Sequence, residues 1–338
     1  MIATDRPATA PAAPSAAAPD GHATASAARA AGTPPTDPDG TAEAAMPASD
    51  TGGNAPGASS GAVGANAPAE PTGASVSDTR AAAPDAAPDA PTTSAPSPAA
   101  GAGLASDTAM VLAAGLGKRM RPLTVSQPKP MVRVAGKPLL DHALDRLAAA
   151  GVGKAVVNVH YLPEAIIAHV KNRRQPAITI SDERERLLET GGGLVKAQEH
   201  LPDPFFCLNS DNIWLDGPIN AFRRLSGAWD PALMDALLLL VPHTGARNFR
   251  GKGDFHMAPD GRLTRRRSGR IAPFVFTGIQ LAAKHLLRDA PEGPFSTNVL
   301  WDRAVEEGRL YGCAFAGEWF EVGTPQAIGP TELALAGG

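Results

Sequence analysis

The sequence predicts an α/β fold: one doubly wound, mostly parallel sheet with a small β-hairpin insertion. Three observations carry this. From residue 108 to about 242, short aliphatic runs alternate with amphipathic stretches across short connections. Strand–helix–strand repetition of that kind means parallel strands, right-handed crossovers and helices on both faces of one sheet. After 245 the pattern changes to two alternating segments about a Pro-Asp-Gly turn, which is a hairpin signature. The first 107 residues stand apart from both patterns.

That leading segment is built from Ala, Pro, Thr, Ser, Gly and Asp, with no Phe, Trp, Tyr, Leu or Lys before Leu104. It has almost nothing to bury, so it cannot offset its ordering entropy, and disorder is the expectation. The domain boundary is drawn at 107/108. Of the 338 residues, about 230 are left for one folded domain. The segment also distorts the charge. It holds eleven acids and three arginines, which leaves 23 acids and 28 Lys and Arg in 108–338. A mildly basic domain suits anionic small molecules and is too weakly charged to argue for nucleic acid.

The elements follow in order. TAMVLAA (108–114) reads as a buried strand and PLLDHALDRLAAAG (138–151) as an amphipathic helix stopped by glycine. Strands follow at 154–161, 177–183, 204–211 and 235–242, with helices at 162–173 and 191–201 between them. GDFHMAPDGRLTRR gives the hairpin, RIAPFVFTGIQLA a strand, TNVLWDRAVEEG a helix, and the remainder strands and a last helix. No internal repeat is visible. The longest apolar run, ALLLLV at 236–241, is too short to cross a bilayer, and the start has neither secretory nor transit character. Cys207 and Cys313 lack metal-like spacing and sit in apolar runs, as buried free thiols do. A soluble cytoplasmic protein is expected.

The candidate site begins at AMVLAAGLGKRMRPLTVSQPKPM (109–131), where an apolar strand breaks into Gly115 and Gly117 and then into Lys118, Arg119, Arg121 and Lys129. The dinucleotide fingerprint fails here, because Met120 stands at the third glycine. Pro122, Pro128 and Pro130 also forbid an immediate helix. A Walker A loop fails because Arg119 follows Gly117-Lys118. What remains is an extended, proline-pinned loop at the carboxyl end of the first strand, where open α/β sheets place ligands. Its glycines let backbone N–H groups approach phosphate oxygens, Arg119 adds a planar fork and Lys129 a point charge.

LAAGLGKRMRPLT with PKPM and GKPLL resembles the sugar-1-phosphate nucleotidyltransferases, over essentially all of 108–336. Within them LETGGG, LNSDNIW, GKGDF and WFEVGTP look most like the N-acetylmuramate-1-phosphate uridylyltransferases, with mannose-1-phosphate guanylyltransferase as the alternative. The resemblance implies a Rossmann-like sheet of glycosyltransferase-A type and transfer of a nucleotidyl group from an NTP, with UTP expected, to a sugar-1-phosphate with loss of pyrophosphate. A non-catalytic nucleotide-sugar sensor is the reading from another class. The resemblance further implies that Ala113, Ala114, Gly115, Gly117, Lys118 and Arg119 hold the nucleotide and that Lys129 bridges the two phosphates. Glu189 and Gly192 would read the base, and Asn158, Asn209, Asp254 and Gly278 would line the acceptor pocket. Arg119, Lys129 and Asp211 form the implied catalytic set. Mg²⁺ would be held by Asp211 and by Glu321, which stands where the family carries Asp and is one methylene longer. The basic run 262–270 could meet a lactyl carboxylate or be a solvated hairpin face. His160 and His169 are read as structural.

Overall fold

The computed structural model describes residues 103–337. The expected disorder before 108 lies outside these residues except at 103–107. There the chain is already docked: Leu104 packs against the core and the Ala105 N–H donates to Ser226 Oγ at 3.0 Å.

The elements are β1 (Thr108–Leu112), β2 (Arg133–Val134), β3 (Lys137–Pro138), α1 (Leu139–Ala150), β4 (Lys154–Val159), α2 (Pro163–Val170), β5 (Ala177–Asp182), α3 (Glu189–Ala197) and β6 (Phe205–Asn209). Then come β7 (Asn212–Leu215), α4 (Ala221–Ala228), β8 (Ala236–Pro242), β9 (Ala246–Arg247), β10 (Phe255–Met257), β11 (Leu263–Arg265), β12 (Phe274–Ala282), α5 (Asn298–Glu306), β13 (Leu310–Ala314), β14 (Glu318–Glu321) and α6 (Ile328–Gly337). The α4 helix and the short strands β2, β3, β7 and β9 carry too little periodicity to be read from sequence.

The sheet runs β5-β4-β1-β6-β12-β8-β13, and the β10–β11 hairpin joins at the start of β12. Strands β5, β4, β1 and β6 are mutually parallel, as are β8 and β13. β12 lies antiparallel to both β6 and β8, so β8 and β13 run in the same direction as β5, β4, β1 and β6, and the sheet is mostly parallel with β12 reversed inside it. No crossover helix precedes β12; the chain enters it from the hairpin and so runs the other way.

Burial on both faces follows the period of two along each strand. On β1, Ala109 and Val111 join Leu140, Leu144 and Leu147 of α1, Ile166 of α2 and Phe222 of α4. Met110 points oppositely, toward Leu194 of α3 and Leu300 and Trp301 of α5. This is the doubly wound arrangement in side-chain terms.

A third apolar cluster positions the site. Met120 from the basic loop, Val132, Val134 and Leu139 pack with Ile213 of β7 and with Phe320 and Val322 at β14. Met120 is fully buried. At roughly 1.5–3 kcal/mol for each large apolar side chain removed from water, this small core locks the loop to two strands far away in sequence.

Candidate functional site

The basic loop leaves β1 at Leu112 and is compact rather than extended. Single 3-10 turns form at Lys118–Met120 and Lys129–Met131. The prolines are compatible with this, because Pro128 caps the second turn and Pro130 sits where a helix start needs no N–H. Gly117 takes φ +62, and a Cβ there would stand 2.9 Å from the Cβ of Lys129. Only glycine lets the loop close onto the stem of that lysine. Thr124 Oγ1 donates to the Gly117 carbonyl at 2.8 Å, and the Tyr161 hydroxyl lies 3.1 Å from the Thr124 carbonyl. Neither Thr124 nor Tyr161 was among the expected site residues. The buried threonine of PLT was the available signal.

Lys129 Nζ donates to Asp211 Oδ2 at 2.5 Å, and Arg119 Nη1 stands 3.5 Å from Glu321 Oε1. Asp211 lies between β6 and β7; Glu321 ends β14. Antiparallel pairing of β7 and β14 sets Glu321 opposite Asn212, the neighbour of Asp211. The two carboxylates thus arrive from adjacent strands, each with one cation from the loop. Burial pushes the Glu321 carboxyl above its ordinary range; Arg119 opposes this, and the like charge of Asp211 adds to it. Gly115, Lys118 and Arg119 are exposed at this edge, while Ala113 and Ala114 are buried beneath it.

The other expected residues divide. Asn209, at the end of β6, meets Gly278 in the bulge midway along β12: Gly278, at φ +80, leaves no room for a Cβ, which would fall 2.9 Å from Asn209 Nδ2. Asp254 is half-buried; burial raises its carboxyl, and its Oδ2 accepts the Phe276 N–H at 2.8 Å. Asn158 is placed elsewhere. It is 2% exposed, its Oδ1 accepts the Ala113 N–H at 2.7 Å and its Nδ2 donates to Glu183 at 2.8 Å, so both ends of its amide are engaged within the protein. A strand-end Asn is as good a strut as a ligand, and sequence alone does not separate the two.

Gly192 is likewise engaged within the protein. The N–H groups of Gly191 and Gly192 both donate to the Phe295 carbonyl, at 2.8 and 3.2 Å, and a Cβ on Gly192 would stand 2.4 Å from the Gly293 carbonyl. The glycines of LETGGG serve close packing of α3 against residues 293–295. Glu189 remains half-exposed at the head of α3, with φ +58. In the basic run, Arg265 lies over Phe255 and Trp301 and pairs with Asp302 at 2.7 Å. Arg262 pairs with Asp260, and Arg266 donates to the Gly253 carbonyl. These three serve the hairpin. His160 bonds the Glu183 carbonyl and His169 pairs with Asp141, as structural histidines do. Cys207 and Cys313 are free and buried; burial pushes the Cys207 thiol up to about 12.

A glycine loop whose two cations are set against two carboxylates has counterparts among known proteins. The family described as Nucleotidyl transferase matches residues 108–249. The N-acetylmuramate alpha-1-phosphate uridylyltransferase of Caulobacter vibrioides is 46% identical over 237 residues, covering 69% of this chain and 98% of that relative. The chain belongs to the nucleotidyl transferase family. The N-acetylmuramate alpha-1-phosphate uridylyltransferase of Neisseria meningitidis serogroup B is 33% identical over 64% of this chain and 93% of that protein. A mannose-1-phosphate guanylyltransferase catalytic subunit beta from Danio rerio is 30% identical, over 64% of this chain and 61% of that one. Among solved structures, the inositol-1-phosphate CTP transferase from T. maritima aligns with TM-score 0.57 at 18% identity, covering 69% of this chain and 96% of that chain. HddC from Yersinia pseudotuberculosis aligns with TM-score 0.56 at 20% identity, covering 68% and 99%. At those identities the structures speak for the fold, which they share. As a family member the chain is a nucleotidyltransferase. Among the described residues no helix is long and apolar enough to cross a membrane.

Proposed function

We propose that this chain transfers a uridylyl group from UTP to the phosphate of N-acetylmuramate α-1-phosphate and releases pyrophosphate, as part of cell-wall sugar recycling in the cytoplasm. The observation that carries this reading is the meeting of Arg119, Lys129, Asp211 and Glu321 at one sheet edge. The 46% identity to a uridylyltransferase along nearly its whole length supports the choice of substrates. The folded domain from about residue 103 would carry the activity.

The nucleophile is a sugar-phosphate oxygen. With a second pKa of about 6 that phosphate is largely dianionic at neutral pH, so no general base is required. The oxygen forms a bond to the α-phosphorus, the bond from that phosphorus to the β-phosphate oxygen breaks, and pyrophosphate leaves with the electron pair. Bringing two polyanions together is the difficulty, and placed cations are the remedy. Lys118 and Arg119 would hold the triphosphate with the free backbone of Gly115 and Gly117. Lys129, only 12% exposed, would bridge the α-phosphate and the incoming sugar phosphate. Glu189 would meet the base, and Asn209, Gly278 and Asp254 the sugar.

The residues fit a magnesium ion. Among the described residues there is no cluster of three or more His, Cys, Asp or Glu, but Asp211 and Glu321 offer hard oxygens side by side. Mg²⁺ needs only one or two carboxylates and completes its sphere with phosphate oxygens and water. Held there, it would supply charge neutralisation to the phosphates. Asp211 and Glu321 would exchange their pairs with Lys129 and Arg119 for it, freeing both cations for the substrates.

A pyrophosphate-release assay of four NTPs against a panel of sugar-1-phosphates tests this reading. Turnover with UTP and N-acetylmuramate α-1-phosphate is expected. Turnover confined to GTP and mannose-1-phosphate would replace the substrate pair, and nucleotide binding without any pyrophosphate would leave a sensor.

A further inference from the structure

Glu183 is fully buried and lies just beyond β5, outside the transfer chemistry. Its Oε1 accepts from Asn158 Nδ2 at 2.8 Å, and its Oε2 accepts the Leu188 N–H at 3.2 Å. Asn158 in turn accepts the Ala113 N–H at 2.7 Å. A continuous chain therefore runs from Ala113, the first residue of the phosphate loop, through two buried side chains, to the residue before Glu189. Burial pushes the Glu183 carboxyl above its ordinary range, and the bonds from Asn158 and Leu188 pull it back. A buried acid is costly, and an apolar side chain would serve packing better. The two amides it satisfies are thus the feature to explain.

Those amides lead to the two halves of the proposed nucleotide site, Asn158 to Ala113 of the phosphate loop and Leu188 to Glu189. Glu189 holds a left-handed backbone, which is unfavourable for a non-glycine residue and persists only where its surroundings enforce it. Phe295 grips this turn from one side: its carbonyl accepts from Gly191 and Gly192, and its N–H donates to the Leu188 carbonyl at 3.2 Å. Glu183 grips it from the other and ties it to β1.

We propose that Glu183 is a positioning residue that, through Asn158, fixes the turn bearing Glu189 against the phosphate loop, so that the spacing of base and phosphate subsites is set within the core. This rests on the placement of the nucleotide proposed above. Nucleotides whose bases need a different spacing are then disfavoured by the core as well as by the residues that touch them.

The polarity of the chain provides the test. Glu183→Gln places an NH₂ against either Asn158 Nδ2 or the Leu188 N–H, whichever way the amide turns. Asn158→Asp sets one carboxylate against another. The double exchange Asn158→Asp/Glu183→Gln reverses the middle link and restores every bond at unchanged net charge. Each single variant should raise the UTP KM about tenfold, leave kcat within about threefold and narrow the preference for UTP over GTP, whose larger purine needs a different spacing, with recovery in the double variant. If Glu183→Gln does not fold, Asn158→Ser breaks the link while leaving Glu183 on Leu188, and is read in the same way. A lower melting temperature with unchanged KM and preference, or a double variant no better than the singles, would overturn the inference. Wild-type protein inert toward every NTP would overturn the nucleotide site itself, and this link with it.

Discussion

Lys129 and Asp211, 82 positions apart, meet at 2.5 Å on the edge of the sheet. The contact joins the only deeply held cation of the basic loop to a carboxylate that the β6–β7 turn presents. It defines a state in which both groups are neutralised within the protein, ready to change partners.

Lys129→Met should therefore remove turnover and leave the fold intact. Asp211 is 30% exposed and can return to water, so the melting temperature should move little. A loss of about 10²–10³ in kcat is the expected scale for deleting one preorganised charge partner. Steady-state kinetics beside thermal unfolding checks it; turnover near wild type would remove Lys129 from the site.

Gly117→Ala should act on the same lysine without touching its charge. The new Cβ meets Lys129 Cβ at 2.9 Å in a left-handed backbone. A strain of about 1–2 kcal/mol and a shift of a few tenths of an ångström should lower kcat about tenfold. Activity unchanged alongside a normal melting curve would show that the loop yields freely.

Glu321 tests the proposed metal site by shape and charge separately. Glu321→Asp keeps the carboxylate, so turnover should persist with a modestly raised magnesium requirement. Glu321→Gln should raise the half-saturating magnesium concentration at least about tenfold, the scale of losing one hard anionic ligand. Chelator should abolish turnover in the parent protein. Equal magnesium curves for parent and Glu321→Gln would place the cation elsewhere.

Asp235 governs acid stability away from the site. Its side chain is 1% exposed and faces Arg309, His285 and Arg288 at 2.6, 2.9 and 3.1 Å. Burial alone would raise its carboxyl, but those hydrogen bonds hold it below the ordinary 3.8. The folded state thus favours the ionised form. Its contribution is complete above pH 3.8 and is lost as pH falls through the lower folded value. Asp235→Asn should lower stability at neutral pH by about 2–4 kcal/mol, less than a wholly buried pair because the cations keep some solvent. The gap between parent and variant in denaturant melts should narrow as pH falls below 3.8; a constant gap would show that ionisation is immaterial.

Chain starts at 103 and at 108 should differ. The longer form keeps Leu104 in the core and the Ala105–Ser226 hydrogen bond, while the shorter leaves an apolar gap. It should melt several degrees lower, the scale of about 1–2 kcal/mol in a domain of this size. Identical melts would show that 103–107 contribute nothing.

Strong periodic segments made most of the fold legible. The runs 108–114 and 138–151, the later strands and the Pro-Asp-Gly hairpin were readable because apolar spacing and glycine stops act locally. β7 was not readable, since its four residues continue a motif that looks like a strand end. Nor was the antiparallel sense of β12, because direction depends on how the chain re-enters the sheet. In the site, the loop cations and the carboxylates of LNSDNIW and WFEVGT stood out by type and context. Asn158 and Gly192 could not be assigned from sequence because a polar strand end and a glycine run serve packing and binding alike.

The sequence by itself determined the nature of the chemistry: which cations, which carboxylates, and a glycine loop that no dinucleotide or Walker pattern explains. Only the tertiary structure decided who meets whom. The β7–β14 register sets Glu321 beside Asp211, and the cluster around Met120 presses the loop onto both. Burial then turns Asn158 and Glu183 from candidate ligands or anonymous polar residues into an internal strut. Residue type is a local property, but proximity and burial follow from the packing of distant segments, and those two quantities separate a site from its scaffold.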